Sequence, residues 1–117
     1  MSQATLYHNP NCSKSRATLE LLNASDTSFS VVEYLQTPLS RPQLEALLAA
    51  LKLAPAELVR KDAHFRELGL TPLDYETTEA VVELLLAHPK LMQRPIVMRN
   101  GQAVIGRPPE DVLQLLD

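Results

Sequence analysis

Polar and apolar positions alternate through Gln3-Ala4-Thr5-Leu6-Tyr7-His8 until Asn9-Pro10-Asn11 breaks the pattern, which predicts a short strand ending in a loop. Cys12 follows at once. Over residues 13–23, Ala17, Leu19, Leu21 and Leu22 lie among helix formers, so a helix is predicted whose first turn begins at or beside Cys12. Residues 28–35, Ser-Phe-Ser-Val-Val-Glu-Tyr-Leu, read as a second strand, parallel to the first if the helix is a crossover connection. Thr37-Pro38-Leu39-Ser40 closes this βαβ unit. Ser40 suits the N-cap of a helix over 41–51, with Leu44, Leu47, Leu48 and Leu51 on one face. A short helical segment is expected around 56–60. A polar stretch with Gly69 and Pro72 separates it from a helix over 77–88 that carries Ala80, Val81, Leu84 and Leu85 on one side and stops before Pro89. Pro95-Ile96-Val97-Met98, Asn100-Gly101 and Gln102-Ala103-Val104-Ile105 then form a hairpin signal, because Asn-Gly suits a type I′ turn. Pro108-Pro109-Glu110 opens a last helix through Leu116, proline being tolerated in a first helical turn.

The order is β-α-β, a helical insertion over about 37–90, then β-β-α. With a cysteine at the first helix's N-terminus and a proline opening the third strand, this is the layout of an α/β, thioredoxin-like fold with a mixed four-stranded sheet. A length of 117 residues suits one domain and leaves little for a second core, so residues 1–117 are expected to form a single domain. The hydrophobic fraction of 45% and charged fraction of 21% are those of a chain that folds as a globule. No apolar run approaches the roughly 18 residues that cross a bilayer, and the polar opening Met1-Ser2-Gln3 does not resemble a signal peptide, so a cytoplasmic location away from membranes is expected. A net charge of -3 without a Lys/Arg run argues against a nucleic-acid surface. Basic residues are left to act locally. The single cysteine cannot close an internal disulfide, and any redox work needs a second thiol from another molecule.

A thiol at a helix N-terminus faces unpaired backbone N–H groups and the positive end of the helix dipole, and both favour the thiolate. The polar neighbours of Cys12 fit a nucleophile better than a small buried hydrophobe. Ser15 stands where a CxxC motif has its second cysteine; its hydroxyl can donate to a thiolate but cannot resolve a disulfide. Arg60, Arg94 and Arg107 each lie beside a predicted element boundary, and such positions can converge at one end of a sheet. Taken alone, an arginine is more often a solvated surface residue than a functional one.

Resemblance narrows these alternatives. His8-Asn9-Pro10-Asn11-Cys12-Ser13-Lys14-Ser15-Arg16, Tyr34-Leu35-Gln36-Thr37-Pro38, Val59-Arg60-Lys61, His88-Pro89, Arg94-Pro95-Ile96-Val97 and Gly106-Arg107-Pro108 together resemble the ArsC family of glutaredoxin-coupled arsenate reductases. The likeness spans essentially the whole chain, and Gly106, standing where some members carry a further cysteine, places the chain with an ArsC-like subgroup. The resemblance implies that Cys12 is the catalytic nucleophile, that Arg60, Arg94 and Arg107 bind the oxyanion, and that Pro95 follows a cis peptide. His8 matches a residue near the family's nucleophile, though a strand-end histidine needs no such role. The same resemblance implies reduction of arsenate to arsenite, with glutathione as co-substrate, glutaredoxin as partner, and no bound cofactor or metal. Two other activities fit parts of the pattern. One is a glutathione-dependent thiol reductase or deglutathionylating enzyme working through Cys12. The other is a regulator similar to the RNA polymerase-binding Spx proteins, whose usual CxxC switch Ser15 would remove.

Overall fold

Strand β1 (Ala4–Tyr7) is an inner strand of the sheet, in the computed structural model that describes residues 3–116. It pairs in parallel with β2 (Phe29–Val32), from Ala4↔Phe29 to Tyr7↔Val32, and antiparallel with β3 (Ile96–Arg99), from Tyr7↔Ile96 to Thr5↔Met98. A hairpin joins β3 to β4 (Gln102–Ile105), giving the order β2-β1-β3-β4. Asn100 and Gly101 both have positive φ, 55° and 74°, as a two-residue type I′ turn demands. Parallel β1 and β2 need a crossover, and α1 (Ser13–Ala24) supplies it. The expected mixed four-stranded sheet of a thioredoxin-like α/β fold is therefore present.

The described residues gather into two compact units, one of residues 3–37 with 94–116 and one of residues 38–93. The first holds the sheet and α1, and its core joins Ala4, Leu6, Leu22, Val97, Val112 and Leu115. The second holds α2 (Arg41–Leu51), α3 (Ala63–Glu67) and α4 (Thr78–Ala87), and buries Leu44, Leu47, Leu58, Phe65, Val81 and Leu91. A capping box starts α2 at the predicted residue: Ser40 Oγ accepts the Gln43 N–H, and Gln43 Oε1 accepts the Ser40 N–H at 2.8 Å. Thr77 Oγ1 accepts the Ala80 N–H at 3.1 Å and caps the start of α4. No helix among the described residues is long and apolar enough to cross a membrane.

Four elements differ from the sequence expectation. Strand β2 stops at Val32 instead of continuing to Leu35, because the Glu33 carbonyl takes the N–H groups of Gln36 and Thr37 and turns the chain. Helix α3 arises inside the polar stretch, where Asp62 Oδ1 caps it by accepting the Phe65 N–H at 3.2 Å. The last helix is a 3-10 segment, Pro109–Leu115, and the 56–60 segment is a 3-10 turn, Pro55–Leu58, followed by a bridge between Val59 and Met92.

Candidate active site

The sheet register brings three chain segments to one edge. Tyr7, the last residue of β1, lies opposite Ile96, the first of β3, and Ile96 lies opposite Ile105, the last of β4. Residues 8–12, 94–95 and 106–107 therefore leave the sheet side by side. Cys12 ends the first segment as the N-cap residue of α1, in extended backbone (φ -105°, ψ 123°). In that position its partly exposed side chain stands at the start of the helix, where the first-turn N–H groups lack helical partners.

Burial pushes the Cys12 thiol up, but the backbone N–H of Ser15, the Arg94 guanidinium and the backbone N–H of Lys14 together outweigh it, and the thiol lies below its ordinary value. Arg107 adds a second guanidinium, with Nη2 at 3.9 Å from Cys12 Sγ. The two arginines are tied together, since Arg107 Nε donates to the Arg94 carbonyl at 2.9 Å and Gly106 N–H donates to the Pro95 carbonyl at 2.9 Å. The Arg94-Pro95 peptide is cis, and so is Arg107-Pro108, which nothing in the sequence reading anticipates. Gly106 is pressed close: a Cβ there would stand 2.8 Å from Pro95 Cγ and 2.9 Å from Thr18 Oγ1.

Ser15 and His8 form a buried pair behind the loop. A Ser15 hydroxyl aimed at the thiolate is what the sequence suggests; instead Ser15 Oγ lies 2.6 Å from His8 Nδ1 and accepts the Asn9 N–H at 3.0 Å, and the Ser15 backbone N–H is what favours ionisation of the thiol. Burial holds the His8 imidazole below its ordinary value, with Glu33 opposing and Arg16 reinforcing the shift. His8 is thus neutral at pH 7. Arg16, one turn into α1, carries no sequence signal for a site role; its Nη1 donates to the Pro10 carbonyl at 2.8 Å and ties the helix start to the loop.

Arg60 belongs to the second unit. Its Nε donates to Asp62 Oδ2 at 3.2 Å, and its backbone N–H to the Leu91 carbonyl at 2.6 Å. Asp62 resists protonation: burial raises its carboxyl, while the Phe65 N–H and the Arg60 charge bring it below the usual carboxylate range. Among the described residues no group of three or more His, Cys, Asp or Glu side chains is placed to hold a metal ion. What the first unit assembles is a thiol whose ionisation is favoured, with two guanidinium groups beside it, a constellation suited to attack on an electrophile that carries negative oxygens.

The model of the ArsC family matches residues 7–115. The uncharacterised protein YfgD of Escherichia coli (strain K12) is 46% identical over 116 residues, spanning 97% of this chain and 97% of its own. An arsenate reductase of Neisseria meningitidis serogroup B (strain ATCC BAA-335 / MC58) is 40% identical over 118 residues, with 99% of this chain and 100% of the relative covered. In three dimensions the fold is similar to that of an arsenate reductase from Vibrio cholerae, with a TM-score of 0.86 at 40% identity over 98% of each chain. With Cys12, Arg94, Arg107 and strands β2 to β4 all inside the matched span, the chain belongs to the ArsC family.

Proposed function

We propose that the protein reduces arsenate to arsenite, with Cys12 as nucleophile and glutathione and glutaredoxin as thiol donors. The observation that carries this reading is the pair of guanidinium groups, Arg94 and Arg107, on a thiol whose ionisation is favoured by two backbone N–H groups. Cys12 thiolate attacks arsenic and displaces water from the protonated oxyanion, leaving a sulfur–arsenic bond. Arg94 and Arg107 offset the repulsion between two anions and hold the oxygens as charge shifts onto them. Arg60 enters as a third oxyanion ligand through its motif, Val59-Arg60-Lys61. A glutathione thiolate then attacks the Cys12 sulfur: the sulfur–arsenic bond breaks, its electron pair reduces As(V) to As(III), and a Cys12–glutathione disulfide remains. A glutaredoxin thiol removes the glutathione and restores Cys12. The external thiols are needed because Cys12 is the chain's one cysteine.

The test is NADPH oxidation coupled through glutathione reductase, glutaredoxin and glutathione, started with arsenate. Arsenate-dependent turnover should be present in the wild type and absent in Cys12→Ser, and omitting glutaredoxin should leave one glutathione per chain by mass. Steady turnover with thioredoxin as sole donor, or none with any donor, refutes the reading. In the latter case, activity on glutathionylated protein or low-molecular-weight mixed disulfides would assign Cys12 to deglutathionylation.

A further inference from the structure

Within the loop that leads to the nucleophile, Pro10 and Asn11 are exposed, but Asn9 is buried, with 7% of its surface accessible. A buried asparagine needs partners, and those of Asn9 all belong to the loop and the helix start. Its N–H donates to Ser15 Oγ at 3.0 Å, and its carbonyl accepts the Cys12 N–H at 3.0 Å. Its side-chain Oδ1 accepts the Asn11 N–H at 3.0 Å. The first two bonds use the backbone and survive any substitution that leaves the turn in place. Only the third depends on the side chain, and it nests a three-residue Asx turn inside the four-residue reversal from Asn9 to Cys12.

Removing Oδ1 would not strand a buried donor, because Asn11 is exposed and water can reach its N–H. The consequence is entropic: the reversal loses a constraint and samples more conformers. The sulfur has little tolerance for this. Its donors come from two places, the first turn of α1 and the Arg94–Arg107 end of the hairpin, and Cys12 must be held against both at once.

We propose that Asn9 is a positioning residue for the nucleophile, its carboxamide oxygen holding the turn that the Cys12 N–H closes on the Asn9 carbonyl and that sets Cys12 Sγ at the start of α1 beside the Arg107 guanidinium. Its effect on turnover rests on the reductase reading above, whereas its effect on the thiol does not.

The test is therefore made first without arsenate, on the full chain, by following the rate of Cys12 alkylation with iodoacetamide against pH. Asn9→Ala should raise the thiol midpoint by about 0.5 unit, roughly a threefold loss of thiolate on the acid side. Asn9→Ser should stay within about 0.2 unit of the wild type, since a serine hydroxyl can accept the same N–H two residues on. In the arsenate assay at pH below the midpoint, Asn9→Ala should lower kcat by a similar factor of about three and leave KM within about twofold, because the hairpin arginines are anchored independently. An unshifted midpoint in Asn9→Ala overturns the proposal, and so does an equal shift in the serine variant, which would mean that the side chain only fills space. Should Asn9→Ala not fold, amide hydrogen exchange in the wild type decides: the Asn11 amide should be protected, and exchange at the rate of an open loop overturns the proposal. A wild type inert toward arsenate with the expected split of midpoints would sink the reductase reading alone.

Discussion

Replacing Arg107 with alanine should raise the Cys12 thiol midpoint by a little under one unit. The guanidinium nitrogen lies 3.9 Å from the sulfur, and at that distance two unit charges attract by about 1 kcal/mol even in bulk water. Because Cys12 is only partly buried, this fully screened figure is the appropriate one, and the much larger value for a dry interior is not. At about 1.4 kcal/mol per unit, the loss amounts to roughly 0.8 unit, or about sixfold less thiolate at pH values below both midpoints. The direction is fixed by charge: a cation favours the thiolate, so its removal favours the thiol. Alanine also deletes the Nε donor to the Arg94 carbonyl and loosens Arg94, which adds to the same shift. Arg107→Lys separates these contributions, since it keeps a charge and loses the fork; its midpoint should fall between wild type and alanine. Titration of thiolate absorbance near the ultraviolet edge, at low and high salt, reads the effect directly, and high salt should narrow the difference between wild type and alanine. A midpoint in Arg107→Ala within about 0.2 unit of the wild type at low salt would refute the electrostatic reasoning.

Acid should weaken the fold through His8. Its folded value lies below that of the unfolded chain, so the unfolded state binds the extra proton first, and stability falls as pH drops from about 6.5 through the folded value. His8→Gln should flatten the dependence of thermal midpoint on pH over that window, and an unchanged slope would show that another group titrates. Gly106→Ala should cost about 1–3 kcal/mol, the usual range for overpacking, because its methyl would crowd Pro95 and Thr18. Calorimetry showing no loss of thermal midpoint would mean that the Pro95 ring yields freely.

Much of the fold was legible because its signals are local. The alternation through Thr5 and Leu6, the Leu44-Leu47-Leu48-Leu51 face behind a Ser40 cap, and the Asn100-Gly101 turn each need only a few neighbouring residues to be read. Helix α3 escaped because five residues are too few to show a period, so the Asp62 cap was its one sequence signal. The end of β2 was misplaced because Val31-Val32-Glu33-Tyr34-Leu35 continues to look like a strand, while the competing turn is made by backbone bonds to Glu33. At the site, Cys12 was visible from its place before a helix. The orientation of the Ser15 hydroxyl was not, since it depends on a buried His8 seven residues away in sequence. The role of Arg16 against Pro10 is equally a matter of how the loop folds back.

The two-residue turn at Asn100-Gly101 acts as a ruler for the arginines. In the pairing Ile96↔Ile105, Val97↔Val104, Met98↔Ala103 and Arg99↔Gln102 the partner numbers keep a constant sum, and carrying that count two steps outward sets Arg94 opposite Arg107. One residue added to either arm would advance that strand by a single step and send each later side chain to the other face of the sheet. The guanidinium pair would then part even with every arm residue unchanged. Chain length between the two arginines is thus as much a part of the site as their identity, and a hairpin moved into another scaffold must travel whole, from Arg94 to Arg107.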